Sequence, residues 1–139
     1  MTLPQQISNV IPGANYIVNP FHRNGTPSKS QWTISAQQEI ASFSYAHAQS
    51  WVCANCAWGL HFVNQNISYL GTAQDHATRV FIAKFVNDIN HNNWHGYPAD
   101  HQINQQDIPD EPILLLWLSQ RILPKAKIKK IASGKPCRL

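Results

Sequence analysis

Thr72-Ala-Gln-Asp75-His-Ala77-Thr-Arg-Val-Phe81-Ile82-Ala-Lys-Phe85-Val-Asn-Asp-Ile89-Asn90 is the stretch on which the fold turns. Ala77, Phe81, Ile82, Phe85 and Ile89 fall at helical spacing, and Thr72 followed three residues later by Asp75 has the form of an N-terminal capping signal. This reading predicts an amphipathic helix over residues 76–90.

Upstream, Ser35 and Gln38 make a capping box, and neither Pro nor Gly interrupts the chain from there to Gly59. Ile40, Phe43, His47, Trp51, Ala54 and Trp58 share one stripe, so a helix is expected over 36–58, with a break near Ser50 and Gly59 at its C-terminal end. Leu60–Val63 and Ile67–Leu70 flank Asn64-Gln65-Asn66 and predict a minor β-hairpin. Downstream, Asp110 and Pro112 open a third helix, expected over 111–123 and closed near Pro124. A further short helix over Lys125–Ile131 ends before Gly134, with Ile128 and Ile131 inward. Residues 1–34, rich in Asn, Pro, Ser and Gly, read as an irregular N-terminal arm in which Tyr16-Ile17-Val18 is β-prone.

The expected fold is therefore a compact, mainly α domain over residues 35–139, with the Phe81/Phe85/Ile89 face packed on Ile113/Leu116/Trp117. The whole chain has 139 residues, enough for one core. Its longest aliphatic or aromatic run, Ile113 to Leu118, is far shorter than the ~20 residues of a membrane-spanning helix, so no membrane partner is expected. Three cysteines cannot all pair and the N-terminus lacks the pattern of a secretory signal, which points to a reducing cytoplasm.

Charge is divided along the chain. Seven of the eleven basic residues lie in Arg121–Leu139 and no acid does, whereas six of the seven acids fall between Asp75 and Glu111. The tail suits a polyanion such as RNA or DNA, or else an acidic protein partner. Lys125, Lys127, Lys129 and Lys130 are its candidate phosphate contacts. No zinc finger, phosphate loop, nucleophile elbow or RNA-binding aromatic motif accompanies them.

Between these charged segments, residues 91–101 concentrate His91, His95 and His101 with Trp94, Tyr97 and Asp100. Imidazoles titrate near neutrality, so His91 and His95 can serve as a general acid and base pair on a phosphodiester, with His101 a further catalytic candidate and Trp94 and Tyr97 contacting the substrate. His91 and His95 have the spacing of a His-Glu-x-x-His zinc motif, but Asn92 replaces its catalytic Glu. A competing, purely structural reading buries Trp94 and Tyr97 and leaves the histidines bonded to backbone carbonyls.

Cys53-Ala-Asn-Cys56 with His61 offers three zinc-type ligands where a closed structural site needs four. His47 is the nearest further ligand, although a continuous helix turns it away from Cys53. The functional expectation is a nucleic-acid-associated protein with histidine-dependent phosphodiesterase or ribonuclease activity and no obligatory cofactor. Two alternatives stand beside it: a non-catalytic interaction or immunity-type module, and a small zinc-binding protein.

Overall fold

The computed structural model describes residues 5–88 and 92–139, with side chains from residue 10 onward. It overturns the helical expectation: strands account for 31% of the chain and helices for 28%, and the organising element is a curled, half-barrel sheet. The strands are β1 (Gln5–Ile11), β2 (Ala14–Val18), β3 (Gln31–Trp32), β4 (Val52–Cys53), β5 (Cys56–Val63), β6 (Asn66–Ser68), β7 (Gly71–Thr72), β8 (Arg79–Val80), β9 (Ile82–Asp88) and β10 (Asn93–Ala99). The helices are α1 (Ala36–Ala48), α2 (Glu111–Ser119) and α3 (Lys125–Ala132). In the main sheet the order is β1-β2-β10-β9-β5-β4, with β6 paired to β5; β3, β7 and β8 form a second, small sheet. β10 runs parallel to β2, and the other pairings are antiparallel.

The segment read as a helix over 76–90 is β8 and β9. A central strand covered on both faces shows a nearly continuous apolar run instead of alternation, and Val80-Phe-Ile-Ala-Lys-Phe-Val86 is such a run. Short runs of this kind satisfy helical spacing too. The Thr72–Asp75 capping signal is instead a strand end and a turn: Thr72 closes β7, and the Asp75 carboxylate accepts hydrogen bonds from the backbone N–H groups of Ala77 (2.9 Å) and Thr78 (2.8 Å). Helix caps and Asx turns use the same side chain-to-backbone bond, so one sequence pattern serves both.

The long helix expected over 36–58 stops at Ala48. Its capping box forms as the sequence implies, with Ser35 Oγ accepting from Gln38 N (3.1 Å) and Gln38 Oε1 accepting from Ser35 N (2.9 Å). Left-handed backbone at Ser50 (φ 62°) and Ala54 (φ 55°) then turns the chain into β4 and β5. Gly59 lies inside β5, where it leaves room for α1: a Cβ there would sit 2.6 Å from Ser42 Oγ and 2.8 Å from the Phe85 ring. The third helix is α2, shorter than the expected 111–123 and followed by left-handed Arg121 (φ 59°). The arm over 1–34 is no irregular appendage, because β1 and β2 belong to the main sheet and β3 to the second.

Two cores flank the sheet. On one face α1 buries Phe43 against Tyr16, Phe85 and Trp94. On the other, α2 and α3 bury Ile113, Trp117, Ile128 and Ile131 against Trp51, Trp58, Leu60 and Ile82. The sheet thus separates Phe85 from Ile113 and Trp117, which the helical reading had packed together.

Gly96 makes the closest approach in the first core. A Cβ there would lie 2.3 Å from Phe85 Cδ1 and 2.9 Å from the Tyr16 hydroxyl, contacts no rotamer change of a fully buried ring can absorb cheaply. Gly96→Ala should therefore lower unfolding free energy by about 1–3 kcal/mol in urea titrations. Wild-type stability in this variant would mean that β10 does not lie against Phe85.

Candidate functional site

Alternation along β10 divides its side chains. Trp94, Gly96 and Pro98 point toward α1, whereas His95, Tyr97 and Ala99 point to the opposite face. Register carries these rows across neighbouring strands: His95 is paired with Val86 and that with Cys56, while Tyr97 is paired with Lys84 and that with Trp58. The third row, Ala99, Ile82 and Leu60, lies in the core under α2 and α3. His95, Tyr97, Lys84 and Cys56 are only half-buried, so a polar strip of this face meets solvent.

One side of the strip is completed by the loop after β2. Asn19 Oδ1 accepts from the Phe21 backbone (2.9 Å), capping a 3-10 turn over Pro20–His22, and the His22 ring stacks on Tyr97 with centroids 5.4 Å apart. His22 Nδ1 lies 2.8 Å from the Ser30 carbonyl oxygen. A carbonyl can only accept, so Nδ1 carries the proton and Nε2 keeps its lone pair. Below the stack, the Tyr97 hydroxyl donates to Asp107 Oδ1 (2.7 Å) and Asp107 Oδ2 accepts from the Asp100 backbone (2.9 Å). Lys84 Nζ donates to the Gln106 carbonyl (2.7 Å) and lies 5.4 Å from the Trp58 ring centre. These bonds tie the sheet to the 100–107 loop and leave a cleft of about 210 Å³. Ser28, Lys29, Gln74 and Asn104 line it together with His22 and Tyr97.

Burial shifts the titrating groups in a consistent direction. The His22 imidazole is held below its ordinary value by burial, which outweighs the Ser30 bond, and Lys29 and His95 push it further down. His95 is also lowered by burial, with Asp88 opposing. Burial and the bond to Asp107 raise Tyr97 far above the usual phenol range, so its hydroxyl stays protonated.

The residues singled out from sequence scatter. His91 lies outside the described residues, and His101 bonds through Nε2 to the Lys135 carbonyl (2.8 Å), which fastens the C-terminal segment. Trp94 is a core residue, packed on Phe43 (5.4 Å) and His47 (4.8 Å). Of the described members of the 91–101 group, His95 and Tyr97 reach the strip and Asp100 lines the cleft beside it. Lys125, Lys129 and Lys130 are exposed on α3, and Lys127 donates to the Leu139 carbonyl (3.2 Å). Cys53 and Cys56 face each other across a two-residue turn, but His61 stands five residues beyond Cys56 on β5, a spacing that sends the two to opposite faces. Among the described residues no three His, Cys, Asp or Glu side chains cluster as a metal site would require.

His22, the centre of the cleft, was missed because it sits in the segment read as an irregular arm. The available signal was an Asn-Pro turn opener followed by Phe-His directly after a β-prone triplet. Comparison with protein-family models, curated proteins and solved structures finds no match to this chain, so function is read from the geometry of the site.

With both imidazoles lowered, the unfolded chain takes up protons first as pH falls below about 6.5. These two groups therefore favour the folded state least in acid, and their protonation in the folded protein comes at lower pH. NMR titration should place the His22 and His95 midpoints below 6.5. A midpoint at or above that value for both would contradict their burial on this face.

Proposed function

We propose that the protein cleaves phosphodiester bonds by general acid–base catalysis in the cleft that the stacked His22 and Tyr97 line together with Lys29. The observation that carries this reading is the orientation of His22: Nδ1–H is committed to the Ser30 carbonyl, and Nε2 is left as a base beside a polar cleft. Nε2 takes the proton of the attacking hydroxyl, from water or from the substrate itself, as its oxygen bonds to phosphorus. The leaving oxygen departs with a proton from His95, which shares the strip two residues from Tyr97; burial disfavours its charged form and Asp88 offsets only part of that, so it serves as the acid on the acid side of neutrality. Lys29 at the cleft offsets the negative charge that gathers on the phosphoryl oxygens.

Tyr97 and Asp107 position the base, the ring by stacking and the carboxylate by fixing the phenol. A reducing, cytoplasmic setting belongs to the same reading and is supported by the odd number of cysteines. No helix among the described residues is long and apolar enough to cross a membrane.

Bis(4-nitrophenyl) phosphate and an RNA dinucleotide are the assay substrates. His22→Ala should reduce turnover roughly 10²- to 10⁴-fold while thermal unfolding stays near wild type, and His95→Ala should do likewise. The wild-type rate should be greatest on the acid side of neutrality, where one imidazole is protonated and the other is not. Absence of wild-type turnover on both substrates, or full activity in His22→Ala, would overturn the proposal.

A further inference from the structure

A second concavity, of about 820 Å³, opens on the other side of the turn that follows β10. Tyr69, Arg79, Phe81, Lys127 and Arg138 line it, and no Asp or Glu does. It is built by the end of the β6 hairpin, by β8 and by the C-terminal segment that His101 fastens through Lys135. The Arg79 guanidinium carbon lies 4.4 Å from the centre of the Tyr69 ring. Stacking of this kind holds a planar cation with little loss of charge and leaves its N–H groups pointing outward. Among the described residues no Asp or Glu carboxylate lies within ion-pair distance of Arg79 or Arg138, while Lys127 Nζ already donates to the Leu139 backbone oxygen (3.2 Å), so the two guanidiniums are the cations the groove offers a ligand. Tyr69 and Phe81 are half-buried, so each keeps part of a ring accessible.

From this combination we infer that the groove binds single-stranded nucleic acid, with phosphates on the cations and bases stacked on the aromatic and guanidinium planes. An acidic peptide would satisfy the cations but has no use for the rings, whereas base stacking is what a strand adds to charge neutralisation. The volume lies in the range of about 300–1,000 Å³ typical of ligand sites, and the groove is open enough for a chain to enter and leave. Asp100 and Asn104 line the His22 cleft and Gln102 lines this groove, so a bound strand can continue over the intervening turn toward the cleft. Binding in the groove stands whether or not the cleft turns anything over.

The experiment is fluorescence anisotropy with a labelled eight-nucleotide oligouridylate, titrated at several salt concentrations. The wild type should bind, with affinity falling steeply as salt rises. Arg79→Gln should weaken binding and flatten the salt slope by about one unit. Tyr69→Ala and Phe81→Ala should each weaken binding roughly 5- to 150-fold, the effect of losing one stacked base. Lys129→Gln, on the exposed side of α3 outside the groove, is the control and should change affinity little. Unfolding midpoints accompany every variant, and the exposed Arg79 decides the matter should an aromatic variant fail to fold. The inference is overturned if the wild type does not bind, or if Lys129→Gln weakens binding as much as Arg79→Gln. Uridine monophosphate or poly-glutamate competing as well as the oligomer would also overturn it.

Discussion

Glu39 has no exposed surface, and its carboxylate ties three separate parts of the chain together. Arg23 Nη2 and Nε reach Glu39 Oε1 at 2.6 and 3.2 Å, and the Tyr16 hydroxyl donates to Oε2. Arg23 also donates through Nη1 to the Ile34 carbonyl (2.9 Å), just before α1 begins. One buried group thus links β2, the loop after it and α1. Burial pushes the carboxyl upward while Tyr16 and Arg23 pull it down, so the ion is tolerated only because its partners are in place. Arg23 follows His22 directly, which makes this network the anchor that holds the imidazole against Tyr97.

Uneven cover on the sheet explains why a site exists beside it. α1 protects one face, but on the other α2, α3 and the C-terminal segment bury Leu60, Ile82, Ala99 and Trp58 and leave His95, Val86, Cys56, Tyr97 and Lys84 half-buried. Two of the half-buried polar side chains are tied down from below: Tyr97 by Asp107 and Lys84 by the Gln106 carbonyl. A half-covered sheet can hold titratable groups firmly without sealing them from solvent. The Asp110 carboxylate belongs to this arrangement too. It stands at the N-cap position of α2 yet accepts from Trp58 Nε1 (3.2 Å), so it docks the helix on the sheet in place of capping it.

Local signals were legible in the sequence, and long-range ones were not. The Ser35 capping box, Pro112 at the start of α2 and left-handed Gly134 (φ 68°) after α3 are short-range devices, and each is found where the residues imply. The β9 segment misled because a strand buried on both faces leaves no period of two, and its Phe and Ile spacing also satisfies a helix. Polar composition disguised β1 and β2: Ser8, Asn9 and Asn15 lie in strands within a segment that reads as irregular, while Tyr16 and Val18 carry the core face. His95 and Tyr97 could be named from their neighbourhood. Their partners His22, Lys29, Lys84 and Asp107 come from distant segments, and only strand register and the Arg23–Glu39 anchor bring them together.

The most direct test of this account is the His22 imidazole resonance in Arg23→Gln, recorded with the unfolding free energy of the same sample. Stacking on Tyr97 should give the wild-type His22 ring a marked ring-current shift. Loss of the guanidinium leaves Glu39 buried without its counter-charge, so the variant should lose about 3–5 kcal/mol of stability and the resonance should move toward its free-imidazole position. An unmoved resonance with wild-type stability would show that the buried Glu39 network does not hold the site together.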